Sequence, residues 1–336
     1  MITRRRVLAA ALGFGAATSL PENLIARDMD GPFDAAVSAY PFSAFSVSDR
    51  DRKIFGKLTF VGGLELRSKD PEFGGVSSAL IDPDGRGFVA LSDHAHWITG
   101  RFKEQNSVLT GIEGVRVTSM IGPDGRRMKH SRYFDTEGLA RIGRTLFVSV
   151  ERSHDILRFD DGITGRGKLI EVPPEFKTLG GNRGIEALGV MPRESAYAGA
   201  LIALAERAAP GSASPNNPGF ILGPRGGRFS VRKIGAFDIT DLGFLPGGDL
   251  VILERRFTPF FGLGFRLRRV PIAAVKPGAI LDGEVLIEAD LSHQIDNMEA
   301  LMIHRASDVR TMLTLVSDDN FSILQRTLVL RFALND

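Results

Sequence analysis

No cysteine occurs in the 336 residues. That absence excludes a disulfide scaffold, a Cys-ligated zinc site, a thiol nucleophile and a lipid-anchored Cys. Charge of one sign is missing as well: 42 Lys and Arg stand against 40 Asp and Glu, so nothing pulls the chain toward nucleic acid. No GxGxxG follows a strand, and no Walker A, HExxH or GxSxG motif occurs. Convincing amphipathic helices are absent. No apolar run is long enough to span a bilayer comfortably. At 43% hydrophobic and 24% charged, the chain is neither disordered nor a polytopic membrane protein. What it does have is glycine, 38 residues of it, which suits a fold with many tight turns.

The chain opens MITRRRVLAAALGFGAATSL. Arg4, Arg5 and Arg6 form a basic stretch, and Val7 to Leu20 are uncharged and mostly small or apolar. This is the build of a signal peptide. Thr3-Arg4-Arg5-Arg6-Val7-Leu8 resembles the twin-arginine export motif of bacteria. The expectation is a signal over residues 1–26, twin-arginine export machinery as a transient partner, and a periplasmic or secreted location. An ordinary Sec signal is the alternative. Removing residues 1–26 takes away three Arg and one Glu and leaves 39 against 39. A chain folded before export would not rely on disulfides, which fits the missing cysteine. Residues 27–57 read as a linker and lead-in, and residues 58–336 as a single domain.

A two-strand unit recurs through that domain. It reads YFDTEGLARIG then TLFVSVER, NRGIEALGVMP then ALIALAER, FDITDLGFLP then DLVILERR, and IDNMEALMIHR then TMLTLVSDD. A weaker first copy is FGGVSSALIDPDG then GFVALSD. Two more strand-like runs follow each of the first four copies along the chain. Four short strands per repeat, separated by Gly, Pro and Asp turns, predict an all-β propeller. The final repeat supplies three strands, and LTFVGGLEL at 58–66 can supply the fourth and close the ring. The count gives five four-stranded blades. Six would follow if residues 33–57 hide strands. A β-sandwich pair or a solenoid is the remaining alternative.

Strand direction then predicts where the acids go. In each antiparallel pair the start of one strand lies beside the end of the next. Glu137 should meet Glu151, Glu186 Glu206, Asp241 Glu254, and Glu299 Asp318. With Asp93, nine carboxylates should converge on one mouth of the channel. Such a density needs cations or raised pKa values. Carboxylate, Asn and carbonyl oxygens suit a hard divalent cation such as Ca²⁺. Asn182, Asn297 and Asn320 lie in the same segments. Arg152, Arg207, Arg255 and Arg256 follow three of the acids and can neutralise part of the charge. Each Glu–Arg pair can equally be a repeated structural clamp. Asp296-Asn297-x-Glu299 with Ser317-Asp318-Asp319-Asn320 is denser than a clamp requires. Asp93-His94-Ala95-His96 reads as a surface loop rather than a metal site, Ser77 and Ser78 as turn residues, and FRLRRV as a solvated outer face.

FGGVSSAL…LSD, DTEGLA…VSVER, NRGIEALGVMP…ALAER, LVILERR, DNMEAL and LVSDDNF together resemble the phytase-like propeller family, "esterase-like activity of phytase", over roughly residues 58–334. The departures are Ser78-Ala79 in place of Ser-Gly, and Ala187 and Ala300 in place of Gly after the Glu. The resemblance implies hydrolysis of a phosphate ester or another ester, a small molecule. Glu137, Glu186 and Glu299 would be catalytic, as bases or metal ligands. Arg152, Arg207 and Arg255 would grip the substrate. Asp93, Glu151, Glu206, Glu254, Asp296, Asn297, Asp318 and Asp319 would hold the metal. Two alternatives remain: a lactonase or carboxylic-ester hydrolase with a central divalent ion, and a non-catalytic propeller binding protein. A phosphate substrate would need free Arg side chains at the mouth; a lactone would need few.

Overall fold

A computed structural model describes residues 31–335 apart from 182 and 259–261. The segment read as an export signal, and Asn182, lie outside the described residues. The strands form five small sheets arranged as a five-bladed propeller. Blade one runs outward from Val76–Ile81 through Gly87–Ser92 and His96–Gln105 to Val108–Ser119. Blade two is Thr136–Ile142, Thr145–Val150, Asp155–Phe159 and the short Lys168–Leu169. Blade three is Ile185–Val190, Leu201–Ala205, Asn217–Ile221 and Gly227–Val231, with Ile280–Leu281 added in parallel at its edge. Blade four is Asp238–Phe244, Leu250–Thr258, Gly262–Val270 and Glu284–Asp290. Blade five is Asn297–Arg305, Thr311–Asp318, Thr327–Leu334 and, from the other end of the chain, Leu58–Ser68. The helical pieces among the described residues are short 3₁₀ turns.

Strand periodicity explains why these sheets stand side by side. Successive side chains leave a strand on opposite faces, so each strand of a blade feeds two neighbours. Leu250 and Ile252 pack toward blade three, whereas Val251 and Leu253 pack toward blade five. Leu146 and Val148 meet blade one, and Phe147 meets blade three. One apolar cluster fills each of the five gaps between adjacent blades. Each fully buried Leu, Val, Ile or Phe contributes roughly 1.5–3 kcal/mol. The five inner strands touch in sequence around a central channel, with Asn297–Arg305 meeting Val76–Ile81 to complete the circle.

Closure follows the expected route. Leu58–Ser68 pairs antiparallel with Thr327–Leu334, and Leu58 lies opposite Leu334. A fully buried Arg331 on blade five also reaches Glu104 of blade one at 2.5 Å. The lead-in is more than a linker. Val37–Phe42 pairs with 63–68 as a fifth strand of blade five, and Phe33–Asp34 pairs with blade one. Phe42 lies over Gly63, where a Cβ would come within 2.4 Å of the ring. Residues 33–57 therefore hide strands but make no sixth blade; they extend the two blades that flank the closure.

The FRLRRV run is not a solvated face. Arg266 and Arg268 are buried between blades three and four. Both donate to Glu254: Arg266 Nε at 2.8 Å, and Arg268 Nε at 2.9 Å. Their other nitrogens donate to the Ile234 and Arg232 carbonyls of the chain leading out of blade three. Two guanidinium groups can be buried there because one carboxylate and these carbonyls accept most of their hydrogen bonds, while Arg268 Nη1 has only Asp282, at 3.8 Å.

Candidate functional site

At one mouth of the channel lies a cavity of about 370 Å³. Eight carboxylates line it: Asp93, Asp135, Glu137, Glu151, Glu186, Glu206, Glu299 and Asp318. Ser77, Asn297, Asn320, Arg207 and Arg255 complete the wall. Two local features of each blade aim these groups.

The first is an interruption at the start of the inner strand. Pairing shifts between Val76 and Ser78, Ile185 and Ala187, Ile239 and Asp241, and Met298 and Ala300. Blade two has the same break opposite Ser149, around Glu137 and Gly138. A bulge leaves one residue unpaired and re-aims its side chain. The residues so released are Ser77, Glu186, Thr240 and Glu299, with Glu137 in the blade-two break. Gly138 permits that break. A Cβ there would lie 2.8 Å from Leu188 N and 2.9 Å from Glu186 O.

The second feature is the residue that follows, on the second strand, the one opposite the start of this interruption. Ser92, Val150, Ala205, Glu254 and Ser317 lie opposite Val76, Thr136, Ile185, Ile239 and Met298. The next residues are Asp93, Glu151, Glu206, Arg255 and Asp318. Four blades present an acid here and blade four presents an arginine.

Seven of the nine converging acids are therefore at the mouth, and Asp241 and Glu254 are not. Asp241 is one position too far along its strand. It is buried and accepts from Leu301 N at 2.8 Å, Leu242 N at 2.9 Å and Ser78 Oγ at 3.2 Å, tying blades four, five and one together. Glu254 is one position too early and binds Arg266 and Arg268. Asp296 accepts from Asn297 N and Arg326 N and does not line the cavity. Asp319 braces a loop, accepting from Gly75 N at 3.0 Å and Thr327 Oγ1 at 2.8 Å. Asn297 does line the cavity, with Nδ2 donating to Glu299 at 2.9 Å. Asp135 was missed, although it stands two residues before Glu137 in DTEGLA.

The three arginines are all engaged. Arg152 Nε donates to Asp135 at 2.8 Å and its side chain is largely exposed. Arg207 pairs with Asp238 at 2.6 Å and Glu206 at 3.1 Å. Arg255 meets Glu299 at 3.1 Å and Asn297 Oδ1 at 2.9 Å, with Glu206 at 3.6 Å. His94 is stacked on Phe321, ring centroids 4.0 Å apart, at the rim, and His96 is buried beside Glu72 at 3.5 Å.

The acids respond as crowded, desolvated groups must. Burial, then the neighbouring Glu186 and Glu151, push Glu137 well above the carboxylate range. Glu186 rises well above it for the same reasons, burial first and Glu206 next. Burial lifts Glu299 to about 8, against the pull of Arg255. Asp93 rises to about 7 and Asp318 to about 6, again chiefly through burial. Glu151 and Glu206 are raised by burial too. Glu186 shares a hydrogen bond with Glu151. Two triads have one oxygen each within 4.8 Å of the others: Asp135, Glu137 and Glu151, and Glu151, Glu186 and Glu206. Glu151 belongs to both. An all-oxygen, carboxylate-rich donor set of this kind fits a hard divalent cation, whose charge would favour the ionised form of each acid.

The backbone around the mouth is also strained. Of eight non-glycine residues with positive φ among the described residues, five lie in loops at this end: Ala95, Asp135, His154, Asn320 and Phe321. Each such residue costs on the order of 1–3 kcal/mol and gathers where function needs it. Leu80, Leu139, Leu188, Phe244 and Ile303 line the opposite mouth together with Arg141. Among the described residues no helix is long and apolar enough to cross a membrane.

A search of curated proteins gave no match. Among solved structures the chain is similar to one in the crystal structure of a nidogen/laminin complex, at 13% identity and TM-score 0.38, covering 83% of this chain and 88% of that one. It is also similar to a protein of unknown function from Bacteroides caccae, at 7% identity and TM-score 0.32, covering 71% and 67%. A protein-family model, Phytase-like (Esterase-like activity of phytase), matches residues 71–321, from the lead into blade one to the acidic loop of blade five. The chain thus belongs to the phytase-like family.

Proposed function

We propose that the acidic mouth is the active site of a divalent-cation-dependent ester hydrolase, with a small phosphate ester as substrate. The observation that carries this reading is the pair of triads sharing Glu151. Two cation positions joined through one carboxylate suit phosphoryl transfer, which needs both the attacking and the leaving oxygen stabilised. Asp135, Glu137, Glu151, Glu186 and Glu206 would hold the cations, Ca²⁺ being the natural fit. Bound there, they would supply Lewis-acid polarisation of the ester and a more acidic water.

The protein's own groups do the rest. Glu299, lifted to about 8, carries a proton at neutral pH. Arg255 and Asn297 fix its carboxyl group, so it can deliver that proton to a leaving oxygen. Asp93, at about 7, is half-protonated near neutrality and can take up or release a proton at the rim. The broken strand starts hold these side chains on rigid sheet rather than on loops, which limits reorganisation during the reaction.

A carboxylic ester or lactone is the second reading, favoured by the engagement of Arg152, Arg207 and Arg255 with protein carboxylates. With no arginine released, a phosphate would have to be held by the cations alone. A purely structural propeller is disfavoured by Glu137, a buried carboxyl group on which the strongest charged influences are two other acids, Glu186 and Glu151.

The test is hydrolysis of aryl phosphate, carboxylic-ester and lactone substrates by the mature protein, in chelator and in Ca²⁺. Cation-dependent turnover of the phosphate supports the first reading. Turnover of carboxylic esters alone supports the second, and none in any condition removes both. The Arg4-Arg5-Arg6 sequence supports export through the twin-arginine pathway to the periplasm. Replacing Arg4, Arg5 and Arg6 with Lys should then retain the protein in the cytoplasm.

A further inference from the structure

Among the described residues blade four lines the mouth with no acid at either position. Where other blades release Ser77, Glu137, Glu186 and Glu299 from the inner strand, it releases Thr240. Where they place Asp93, Glu151, Glu206 and Asp318, it places Arg255. Both carboxylate triads lie on blades two and three. No triad forms around Glu299 and Asp318, although both line the same cavity among the described residues.

Arg255 sits between these halves. It spans from Glu206 of blade three to Glu299 and Asn297 of blade five, at 3.6, 3.1 and 2.9 Å. Its side chain keeps 27% exposure and faces the cavity. A guanidinium stays charged across the whole working pH range and has no acceptor. It therefore supplies fixed positive charge between Glu206 and Glu299, and repels a second cation from the space between them while leaving the far side of Glu206 to its triad.

We propose that Arg255 is the resident cation of the mouth: it fills with a guanidinium the place where the repeat would otherwise build another metal position, and so confines divalent ions to blades two and three. This rests on the reading of the mouth as a cation-dependent site. Arg255 is then a positioning residue, which sets where ions bind, rather than a substrate grip. Restoring the acid of the repeat should open that further position, with Glu206, Glu299 and the new carboxylate as donors.

The experiment counts bound Ca²⁺ by equilibrium dialysis and metal analysis at pH 7.5 and low salt, for the wild type, R255Q, R255E and R255K. R255E is expected to bind one equivalent more than the wild type. R255Q is expected to show a larger rise in melting temperature with Ca²⁺ than the wild type does. R255K keeps the charge but loses the fork, so it should keep the wild-type count; a merely structural role would not be rescued in this way. The wild-type count in folded R255E and R255Q, or a gain in R255K equal to that in R255E, overturns the proposal. A wild type that binds no Ca²⁺ beside an R255E that binds it overturns the proposed function but supports the role of Arg255; no binding by any form overturns both. If R255E and R255Q unfold in chelator, recovery of the folded state by Ca²⁺ supports the proposal, and failure to recover overturns it.

Discussion

Glu254 and Arg255 are adjacent in the chain and face opposite sides of blade four. Glu254 accepts from Arg268 Nε at 2.9 Å between blades three and four, whereas Arg255 reaches Glu299 at 3.1 Å across the gap to blade five. One residue of register separates a buried structural clamp from a group at the mouth.

That division makes Glu254 the control for the site. Glu254→Ala leaves two buried guanidinium groups without their carboxylate, a loss of about 3–5 kcal/mol. Urea denaturation should show that loss, while Ca²⁺ affinity of the folded variant stays unchanged. Weakened cation binding with intact stability would put Glu254 back at the mouth.

Glu151 should be the most sensitive carboxylate for cations, because both triads use it. Glu151→Gln is expected to weaken Ca²⁺ binding at least about tenfold, or ~1.4 kcal/mol. Glu137→Gln or Glu206→Gln, each touching one triad, should do less. Isothermal titration of the three variants gives the order, and a Glu151 effect no larger than the other two would contradict a shared ligand.

Stability should fall as pH rises when no cation is present. Asp318, Asp93 and Glu299 titrate at about 6, 7 and 8 in the folded protein, raised chiefly by burial. Unfolded, such groups lose their protons near ~4. The folded state thus binds more protons over that window, and its stability declines from about pH 4 to about pH 8. His94, His96, His154 and His304 are shifted down by burial and act in the opposite sense. Their contribution is complete above about 6.5, the ordinary histidine value. Between pH 6.5 and 8 the carboxylates stand alone. Melting temperature in chelator should drop across this interval, and Ca²⁺ should flatten the drop. A flat profile in chelator would show the mouth acids to be uncrowded.

Gly138→Ala tests the blade-two break. Its Cβ would press on the backbone of Glu186 and Leu188 at 2.9 and 2.8 Å, and neither can swing away. Overpacking of this kind costs about 1–3 kcal/mol. Since Glu137 and Glu186 flank the contact, Ca²⁺ affinity should fall together with stability. A loss of stability alone would mean that the carboxylates are held independently of this contact.

The propeller, its five blades and its closing strand were legible because strand length, turn residues and repeat spacing are local properties. Seven mouth acids were legible for the same reason: they fall at the ends of apolar runs. What local pattern could not settle was register. Aligning the Glu of DLVILERR with that of TLFVSVER puts Glu254 and Asp241 in the mouth, one residue off the register of the ladder. The leucine two positions after the released residue (Leu139, Leu188, Leu242 and Leu301) selects Thr240 over Asp241, whereas Arg255 is placed only by the pairing of the two strands. The burial of Arg266 and Arg268 was hidden as well, because charged runs ordinarily face water and only the ladder reveals that Glu254 lies opposite. The pairing of the strand at 37–42 is hidden because it is a fifth strand added to the edge of blade five and repeats no part of the two-strand unit.

The pairing of Leu58 with Leu334 has a consequence for how the molecule is made. During synthesis the first strand of the closing blade emerges early and must wait for the last to leave the ribosome. Until then its edge is open, and Asp93 has no fixed relation to Asp318, its charged neighbour across the closure. Contacts this distant along the chain form slowly. The acidic mouth is therefore assembled as a late event, and a chain truncated before residue 327 should lose the site as a whole rather than by parts.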